Sequence, residues 1–401
     1  MNTQTQHTTK YKNSPLGLIP EDWEVKLLGE LGDFSKGKGI TKEQLSESGF
    51  PCIRYGEIYT THDFIIKEFN SFISERVAFE SKEIKKGDIL FAGSGETIEE
   101  IGKAVAYLGD EKAFTGGDVI ILNTNDEVNV ECVVYALEID SVKKQKRVLG
   151  QGNSVVHIYS KDLSKLRLPI PPLLEQNAIA DCLATWDKAI EKYNVLIAQK
   201  ELSKKALMQQ LLSGKKRLKG FNGDWKSFEL NKICKISKGE QFNKIELDKV
   251  GQYPSFSGGI EPSGYTDKWN TDKDTIIISE GGNSCGHVNF INTKFWCGGH
   301  CYALLNIKGE FFKMFLFHSL KYNENKIMKL RVGSGLPNVQ KKDLERFCLI
   351  IPSIEEQKAI ANVLQCADDE LQILKKKLEQ LKEQKKGLMQ VLLTGKKRLK
   401  Y

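Results

Sequence analysis

The sequence is poor in the features that mark several specialised protein classes. Ten prolines and nine cysteines in 401 residues exclude a collagen-like chain and a disulfide-dense scaffold. The polar opening carries no secretory pattern, so we expect free thiols in a cytoplasmic protein. Apolar runs stay far below the roughly 18 to 20 residues needed to cross a bilayer, which argues against a membrane role.

Motifs for catalysis are equally scarce. The sequence contains no Asp/Asn-Pro-Pro-Tyr/Phe run of the kind found in amino-methyltransferases. The loop Gly32–Gly39 resembles a phosphate-binding loop, but Gly39 stands where a serine or threonine would reach magnesium. We therefore see no methylation chemistry in this chain and expect no nucleotide at this loop.

One long internal repeat is present. Segments 161–219 and 342–400 align without a gap at an offset of 181, and 27 of the 59 positions are identical. Near the start of each half, residues 22–23 correspond to 224–225 at an offset of 202, so the first half carries 21 additional residues. Retained ends and divergent middles indicate one scaffold that carries two different working surfaces.

Cysteine and histidine cluster in one region of the second half. Cys285, His287 and the segment 297–301 contain enough soft ligands for a structural zinc ion. The corresponding region of the first half contains no thiol, although a site needed by the shared fold would occur in both halves. We therefore expect no metal and interpret these cysteines as incidental to two packed strands.

Each repeated segment predicts a long helix with clear limits. A strand-like stretch ending in proline precedes it, and Gly214 or Gly395 follows it, as expected for a residue just past a helix end. Ser353 and Glu356 have the spacing of a capping box. At 1.5 Å per residue, a helix over 174–212 would be about 58 Å long.

Apolar residues recur along both helices at alternating spacings of three and four, which is typical of a coiled-coil seam. The predicted seam residues are Ile179, Leu183, Trp186, Ile190, Tyr193, Ile197, Ile360, Leu364, Leu371, Leu374, Leu378 and Leu381. Lys204 and Lys385 interrupt the seam at equivalent places, which can fix its register. We expect antiparallel pairing about a pseudo-twofold axis, with the folded N- and C-termini close together. The alternative is two amphipathic helices, each covering its own domain.

The predicted fold class is α+β, with two α/β domains related by the repeat and separated by the paired helices. The predicted boundaries are a flexible tail 1–14, a first domain 15–165, its helix 166–219, a second domain 220–346 and its helix 347–401. Trp23 and Trp225 are equivalently placed, and we interpret them as core anchors rather than stacking platforms.

The net charge of +7 is concentrated in the repeated segments. Segments 161–219 and 342–400 together carry +10, so the rest of the chain sums to −3. Generic attraction to phosphate needs clustered lysine and arginine. If the domains bind DNA, they must read base edges with selected loops and depend on partners for much of the phosphate contact.

Glycine-rich loops and their polar neighbours are the candidate DNA-reading positions, because Asn and Gln pair with adenine and Arg or Lys with guanine. The candidates are Lys36, Lys38, Arg54, Tyr55, Ser94, Gln151, Asn153, His157, Lys238, Gln241, Asn283, Ser284, Ser334 and Asn338. For each loop, an ordinary surface turn is the alternative interpretation.

The combination resembles the specificity subunits of Type I restriction-modification systems, over nearly the whole chain after residue 14. The resemblance rests on the two-copy layout and on the segments Ile170–Ala180 and Ile351–Ala361. It also rests on the shared run Leu-Met-Gln-x-Leu-Leu-Ser/Thr-Gly-Lys-Lys-Arg-Leu-Lys, which starts at Leu207 and again at Leu388.

This resemblance implies a division of labour in which this chain is non-catalytic and holds no cofactor of its own. Each variable segment would be a target recognition domain that reads half of a bipartite site in double-stranded DNA, and the paired helices would fix the spacing and dock two methyltransferase (modification) subunits. S-adenosylmethionine and adenine N6 methylation would belong to those partners, and ATP and Mg to restriction/translocase subunits, where two such subunits are present. Because Gly37-Lys38-Gly39 corresponds to Gly239-Glu240-Gln241, the half-sites are expected to differ. The alternatives are a two-domain DNA-binding regulator without a methylating partner and a protein-assembly scaffold.

Overall fold

The computed structural model describes residues 10–95, 97–98, 100–152, 156–242, 247–333, 335 and 337–399. The chain divides into two units. Unit 1 comprises Met1–Lys192 and Leu378–Tyr401, and unit 2 comprises Tyr193–Lys377. Each unit therefore contains one of the two predicted domains together with parts of both long helices.

Short strands and helices build the domain of unit 1. Its strands are β1 (Tyr11–Ser14), β2 (Gly17–Pro20), β3 (Glu24–Leu27), β4 (Gly32–Lys36), β5 (Leu45–Ser46), β6 (Phe50–Ile53), β7 (Ile65–Ile66), β8 (Ser71–Ile73), β9 (Lys82–Ile84), β10 (Asp88–Ala92), β11 (Ser94–Gly95), β12 (Ala104–Tyr107), β13 (Ala113–Thr115), β14 (Val119–Thr124), β15 (Val156–His157) and β16 (Arg167–Ile170). Its short helices are α1 (Tyr55–Thr60), α2 (Glu75–Glu80), α3 (Val130–Ala136), α4 (Asp140–Leu149) and α5 (Ser160–Leu163). The first long helix, α6 (Leu173–Leu211), begins in this unit.

Within the ranges that the structure describes, unit 2 is built in the same way from fewer strands. They are β17 (Lys226–Glu229), β18 (Lys235–Lys238), β19 (Tyr253–Phe256), β20 (Gly264–Thr266), β21 (Thr275–Ser279), β22 (Val288–Ile291), β23 (Trp296–Cys297), β24 (Cys301–Leu305) and β25 (Cys348–Ile351). Its helices are α7 (Leu230–Ile233), α8 (Lys313–Tyr322), α9 (Glu324–Met328) and α10 (Lys341–Glu345). The second long helix, α11 (Ile354–Leu392), begins here.

The sheets of the two units share one topology. The main sheet has the order β4-β14-β10-β12-β7 in unit 1 and β18-β24-β21-β22 in unit 2. A second sheet has the order β5-β8-β6-β13-β9 in unit 1 and β20-β19-β23 in unit 2, and β6 and β19 each run parallel to their partners β13 and β23. The extra edge strands of unit 1 lie in its longer middle segment. The predicted α+β fold class with two repeat-related α/β domains is confirmed.

The two long helices have equal lengths and matching ends. Each contains 39 residues. Gly214 and Gly395 follow them with φ values of 70° and 67°, in the left-handed region that glycine occupies without strain. The predicted helix ends are therefore confirmed.

The start of α11 differs from the predicted capping box. The backbone N–H of Glu356 donates to Ser353 Oγ at 3.4 Å, which is the first half of that motif. The Glu356 carboxylate instead accepts two hydrogen bonds of 2.6 Å from Arg217. A guanidinium is a stronger partner for a carboxylate than a backbone N–H, so the reciprocal bond of the capping box is replaced.

The hydrophobic core of each unit contains the start of one long helix and the end of the other. In unit 1, Ile179 and Leu183 of α6 share a cluster with Leu392 of α11. In unit 2, Leu211 of α6 shares a cluster with the start of α11, where Ile360 is buried. The helices thus run antiparallel, as predicted, and also cover the domains, so both expected roles are present.

The two ends of the described chain meet in unit 1. Tyr11 Oη donates to Gly395 O at 3.0 Å, and Arg398 donates to both carboxylate oxygens of Asp22 at 2.9 and 2.7 Å. The expected proximity of the termini is confirmed for these residues. Residues 11–14, assigned from the sequence to a flexible tail, instead form β1 paired with β2. That assignment is corrected, because the strand pairing and the Tyr11 contact hold this segment in place.

Candidate nucleic-acid interface

Equivalent ion pairs join the two long helices in each unit. Lys385 binds Asp187 in unit 1, and Lys204 binds Asp368 in unit 2, at positions related by the 181-residue offset. In unit 2, Lys200 also contacts Glu370 at 2.6 Å. The residue number of the lysine rises along α6 from 200 to 204 while that of its acidic partner falls along α11 from 370 to 368, so the pairs set an antiparallel register. The lysines that interrupt the predicted seam are therefore paired with aspartates of the opposite helix.

The surroundings of these pairs differ between the units. In unit 1, Lys385 is 4% exposed and its ammonium lies 3.9 Å from the ring centre of Phe64. Burial lowers the pKa of Lys385, and the Asp187 carboxylate opposes that shift. Tyr135 Oη also donates to Asp187 at 2.6 Å. The corresponding residue of unit 2 is His318, whose pKa burial lowers to about 4.

The predicted seam positions are buried or half-buried along both helices. The buried ones are Ile179, Leu183, Ile190, Ile197, Ile360, Leu364, Leu371 and Leu378. Trp186, Tyr193, Leu374 and Leu381 are half-buried.

A repeated Glu-Gln dipeptide at the start of each long helix anchors the neighbouring elements. Glu175 is fully buried and accepts hydrogen bonds from Trp23 Nε1 at 2.9 Å and from Arg398 at 2.6 Å. Gln176 Oε1 accepts from the Asn129 N–H at 2.8 Å, just before α3. In unit 2, Gln357 Oε1 accepts from the Phe312 N–H at 2.7 Å, just before α8. Trp23 is thus a core residue, as interpreted.

The unit 2 counterpart of Trp23 is less enclosed. Trp225 is half-buried, lies against the core of unit 2 and has the Arg217 guanidinium 5.6 Å from its ring centre. It therefore also belongs to the packing of its unit.

A shared backbone frame lies at one end of the main sheet in each unit. In unit 1, Gly37 N–H donates to Val119 O, Lys38 N–H to Thr115 O and Gly116 N–H to Ile53 O, at 2.8, 3.3 and 3.3 Å. In unit 2, the equivalent donors Gly239, Glu240 and Gly298 bond Cys301, Cys297 and Phe256, at 2.9, 2.9 and 2.8 Å. We call these bonds and the loops that carry them the recognition frame.

The glycine of the Ser-Lys-Gly motif is explained by this frame. A Cβ on Gly37 would lie 1.9 Å from Gly116 O, and a Cβ on Gly239 would lie 2.4 Å from Cys297 O. Only glycine permits such a close approach of two backbones. The near-match to a phosphate-binding loop is therefore a packing feature of this turn.

The two glycine-rich loops of each domain meet beside this frame. In unit 1, Ser94 pairs with His157, and Ser94 Oγ lies 2.9 Å from His157 Nδ1. The Gln151 and His157 backbones exchange hydrogen bonds of 2.9 and 2.7 Å. In unit 2, Gly281 and Val332 both bridge to Asn338, as Ser94 and Gln151 bridge to His157. The sequence does not predict this meeting, because the loops are about 60 residues apart.

The structure brings most of the candidates of unit 1 to one place. Lys36 and Lys38 are exposed at the end of β4, and Arg54 and Tyr55 follow β6, whose last residue bonds the frame. Arg54 is half-buried, with Nε 3.9 Å from Glu57 Oε2, so a carboxylate holds it in place. Candidate Asn153 lies outside the described residues.

The candidates of unit 2 are also gathered around the frame. Lys238 ends β18, and Gln241 lies against Gly299 in the turn between β23 and β24. Ser284 Oγ donates to Gly258 O at 2.5 Å, and Asn283 beside it is exposed. Asn338 Oδ1 accepts a hydrogen bond from Gln340. Candidate Ser334 lies outside the described residues.

Sequence reasoning missed several residues at this surface. Glu280 follows β21, where it contacts Lys238 and Tyr302. His300 stands 3.7 Å from the same carboxylate. Phe79 of α2 is 92% exposed, two residues from Ser81, which lies beside Gly39. A charged residue after a buried strand is a usable signal for Glu280, but its partners are distant in sequence.

The cysteines of the second half lie on or beside packed strands. Cys297 and Cys301 are buried, and Cys285 Sγ donates to Glu280 O at 3.0 Å. Across the ranges that the structure describes, no three His, Cys, Asp or Glu side chains are grouped closely enough to hold a metal ion. Over the same ranges, no helix combines the length and the apolarity needed to span a bilayer.

Two similar α/β domains, built on the same backbone frame with different side chains and joined to long antiparallel helices, define a duplicated two-domain protein. The family model described as Type I restriction modification DNA specificity domain matches residues 20–199 and 222–383. This chain belongs to that family, and each matched segment contains one target recognition domain together with part of one long helix.

Similar proteins agree with this assignment, and a solved structure shares the fold. The chain is 30% identical to the putative type I restriction enzyme MjaX specificity subunit of Methanocaldococcus jannaschii, over 97% of each chain. It is 26% identical to the type I restriction enzyme MjaVIII specificity subunit of the same organism, over 95% of this chain and 94% of the relative. A crystal structure of a Type I restriction-modification S subunit from M. genitalium has the same fold, with a TM-score of 0.63, 22% identity and 92% and 96% coverage.

Proposed function

We propose that this chain is the DNA sequence-recognition subunit of a Type I restriction-modification complex and that each unit reads one half of an asymmetric bipartite site. One observation carries the proposal: the two units present the same recognition frame with different side chains. Lys38 and His157 of unit 1, which are both exposed, are replaced in unit 2 by the exposed Glu240 and the half-buried Asn338.

The chemistry of these replacements supports different half-sites. Base edges in the major groove are distinguished by their patterns of hydrogen-bond donors and acceptors. Lysine only donates, whereas glutamate only accepts when ionised. Frames that differ at Lys38 and Glu240 therefore favour different bases, while the retained backbone presents both sets in the same way.

The paired helices are proposed to fix the distance between the half-sites. Each helix is continuous over 39 residues and has residues in both units, and ion pairs set the antiparallel register within each unit. Rotating a reader around DNA by one base pair changes its facing by about a tenth of a turn. A stiff pair of helices therefore selects one number of unread base pairs.

The chemistry of modification is proposed to reside in partner subunits. The similar proteins are named specificity subunits, and this chain has their length and fold. Two methyltransferase subunits docked on the helices would supply S-adenosylmethionine, adenine N6 methylation and extraction of the base from the stack. Restriction subunits, where present, would bring ATP and Mg.

Base-resolution mapping of methyladenine in cells that express this chain with its methyltransferase partner tests the proposal. The expected motif has two unlike half-sites separated by a fixed number of unspecified bases. A continuous or palindromic motif would contradict the reading of two different half-sites.

The alternative functions make different predictions. A DNA-binding regulator would purify without a methyltransferase and still bind DNA, and an assembly scaffold would bind neither half-site. Co-purification with an Asn-Pro-Pro-Phe or similar methyltransferase chain separates the proposed function from both.

A further inference from the structure

A lysine, a glutamate and a tyrosine form a connected group on the recognition frame of unit 2. Lys238 ends β18 and pairs across the sheet with Tyr302 of β24. Lys238 Nζ donates to Glu280 Oε1 at 2.7 Å, and Tyr302 Oη donates to the same oxygen at 2.8 Å. In unit 1, the position of Glu280 is occupied by Gly93, which has no side chain to offer.

Glu280 is held firmly in this group. Its backbone N–H donates to His300 O at 2.9 Å, and its backbone oxygen accepts from Val339 N–H at 2.8 Å. Its side chain is 13% exposed, whereas the side chain of Lys238 is 52% exposed. Burial, followed by the hydrogen bond to Glu280, raises the pKa of Tyr302, so its hydroxyl remains a donor to the carboxylate.

This arrangement suits a base edge better than a phosphate. A lysine that is already paired with a carboxylate contributes little net positive charge, and the carboxylate itself repels phosphate. An ammonium nevertheless has three donors, and Glu280 uses one of them. The other two donors of Lys238 can therefore bind a base. Because Glu280 already holds the lysine side chain in place, little side-chain entropy is lost on binding.

The pattern of donors and acceptors matches a G·C pair better than an A·T pair, whose acceptors N7 and O4 are separated by the N6 amino donor. In the major groove guanine presents the acceptors N7 and O6, and its partner cytosine presents the N4 amino donor. Lys238 supplies the donors. Among the described residues, Glu280 Oε2 has one salt-bridge partner, His300 at 3.7 Å, so this oxygen can act as the acceptor. We infer that Lys238 reads a guanine in the half-site recognised by unit 2, and that Glu280 is the residue that positions it. This inference rests on the proposed function.

The test uses the full complex with its methyltransferase partner. The variants are Lys238→Met, Lys238→Arg and Glu280→Gln, with Lys235→Met as the matched control, since Lys235 is exposed at the other end of the same strand. Replacing residues 20–160 by the domain of another family member first identifies the half-site that belongs to unit 1. Competition binding then measures the preference for each base in the other half-site.

The expected result is confined to one position. Lys238→Met loses roughly tenfold to a hundredfold discrimination in favour of guanine there, while Lys238→Arg retains it because arginine also donates to O6 and N7. Glu280→Gln weakens discrimination at the same position, and Lys235→Met leaves every preference unchanged. The half-site of unit 1 stays the same in all four variants.

Two results would overturn the inference. The first is that Lys238→Met keeps its base preference but binds every duplex more weakly, and that its salt dependence of binding corresponds to about one counterion fewer. That combination would identify a phosphate contact. The other is a unit 2 half-site without guanine. In either case the wild-type bipartite motif would remain, whereas failure of the proposed function would remove that motif altogether.

Discussion

Removal of the Arg398 side chain should destabilise unit 1 much more than removal of a neighbouring exposed charge. Arg398 makes two hydrogen bonds of 2.6 Å to Glu175, which is fully buried, and two more to Asp22. Arg398→Met leaves the buried Glu175 carboxylate with Trp23 Nε1 as its remaining hydrogen-bond donor among the described residues. The Asp22 contact contributes little by itself, because half of that side chain is exposed.

The size of the effect follows from the uncompensated charge. Breaking a buried pair by removing one partner costs 3–5 kcal/mol in general, and the partial exposure of Arg398 places this case at about 3 kcal/mol. For a unit of this size, each kcal/mol lowers Tm by roughly 2–4 °C, so the expected decrease is about 6–12 °C. Lys397→Met removes the same formal charge from an exposed position and serves as the control.

Calorimetry of the three variants Arg398→Met, Lys397→Met and Glu175→Gln/Arg398→Met measures this prediction. The double variant should recover part of the loss, because a neutral amide still accepts from Trp23 and leaves no buried charge. Equal Tm values for Arg398→Met and Lys397→Met would refute the argument. So would a double variant less stable than Arg398→Met alone.

Two further predictions concern pH and the length of the helices. Burial holds the pKa of His318 at about 4, below its ordinary value of 6.5. Between these two values the unfolded state binds more protons than the folded state. The free energy of unfolding should therefore fall by about 3 kcal/mol as pH drops from 6.5 to 4. His318→Tyr, which introduces the residue found at Tyr135 in unit 1, should remove that dependence in urea unfolding at pH 7 and 4.5; an unchanged pH slope would contradict it. Inserting four residues after Lys200 should change the spacing between the methylated half-sites or abolish assembly, because the insertion shifts α6 by about one turn against α11. Methylation mapping measures the spacing, and size-exclusion chromatography measures assembly. An unchanged spacing in an intact complex would contradict the prediction.

Local sequence patterns and the internal repeat predicted the main architecture of the fold. The 181-residue offset, the glycines at 214 and 395 and the three-and-four spacing led to paired antiparallel helices of the right length. These features succeed because each depends on residues close in sequence, or on a comparison of the chain with itself.

Contacts between distant residues were beyond sequence reasoning. Arg398 and Glu175 lie 223 positions apart, and nothing local distinguishes Arg398 from its basic neighbours. Glu356 has the correct spacing for a capping box, yet Arg217 competes successfully for its carboxylate. Glu280 gains its significance only when β18, β21 and β24 lie side by side.

The candidate surface shows the same division. Loop composition selected residues such as Ser94 and His157, and the structure shows that their loops pair. Residues on strands and on α2, such as Tyr302 and Phe79, gave no loop signal. The position of Tyr302 beside Lys238 depends on sheet register, and the exposure of Phe79 depends on the packing of α2. Composition encodes neither.

Exchange of one recognition domain tests the central claim most directly. In a chain whose residues 20–160 come from another member of the family, base-resolution methyladenine mapping should show one altered half-site, with the other half-site and the spacer unchanged. A change in both half-sites, or in neither, would contradict independent reading by two units on a common frame.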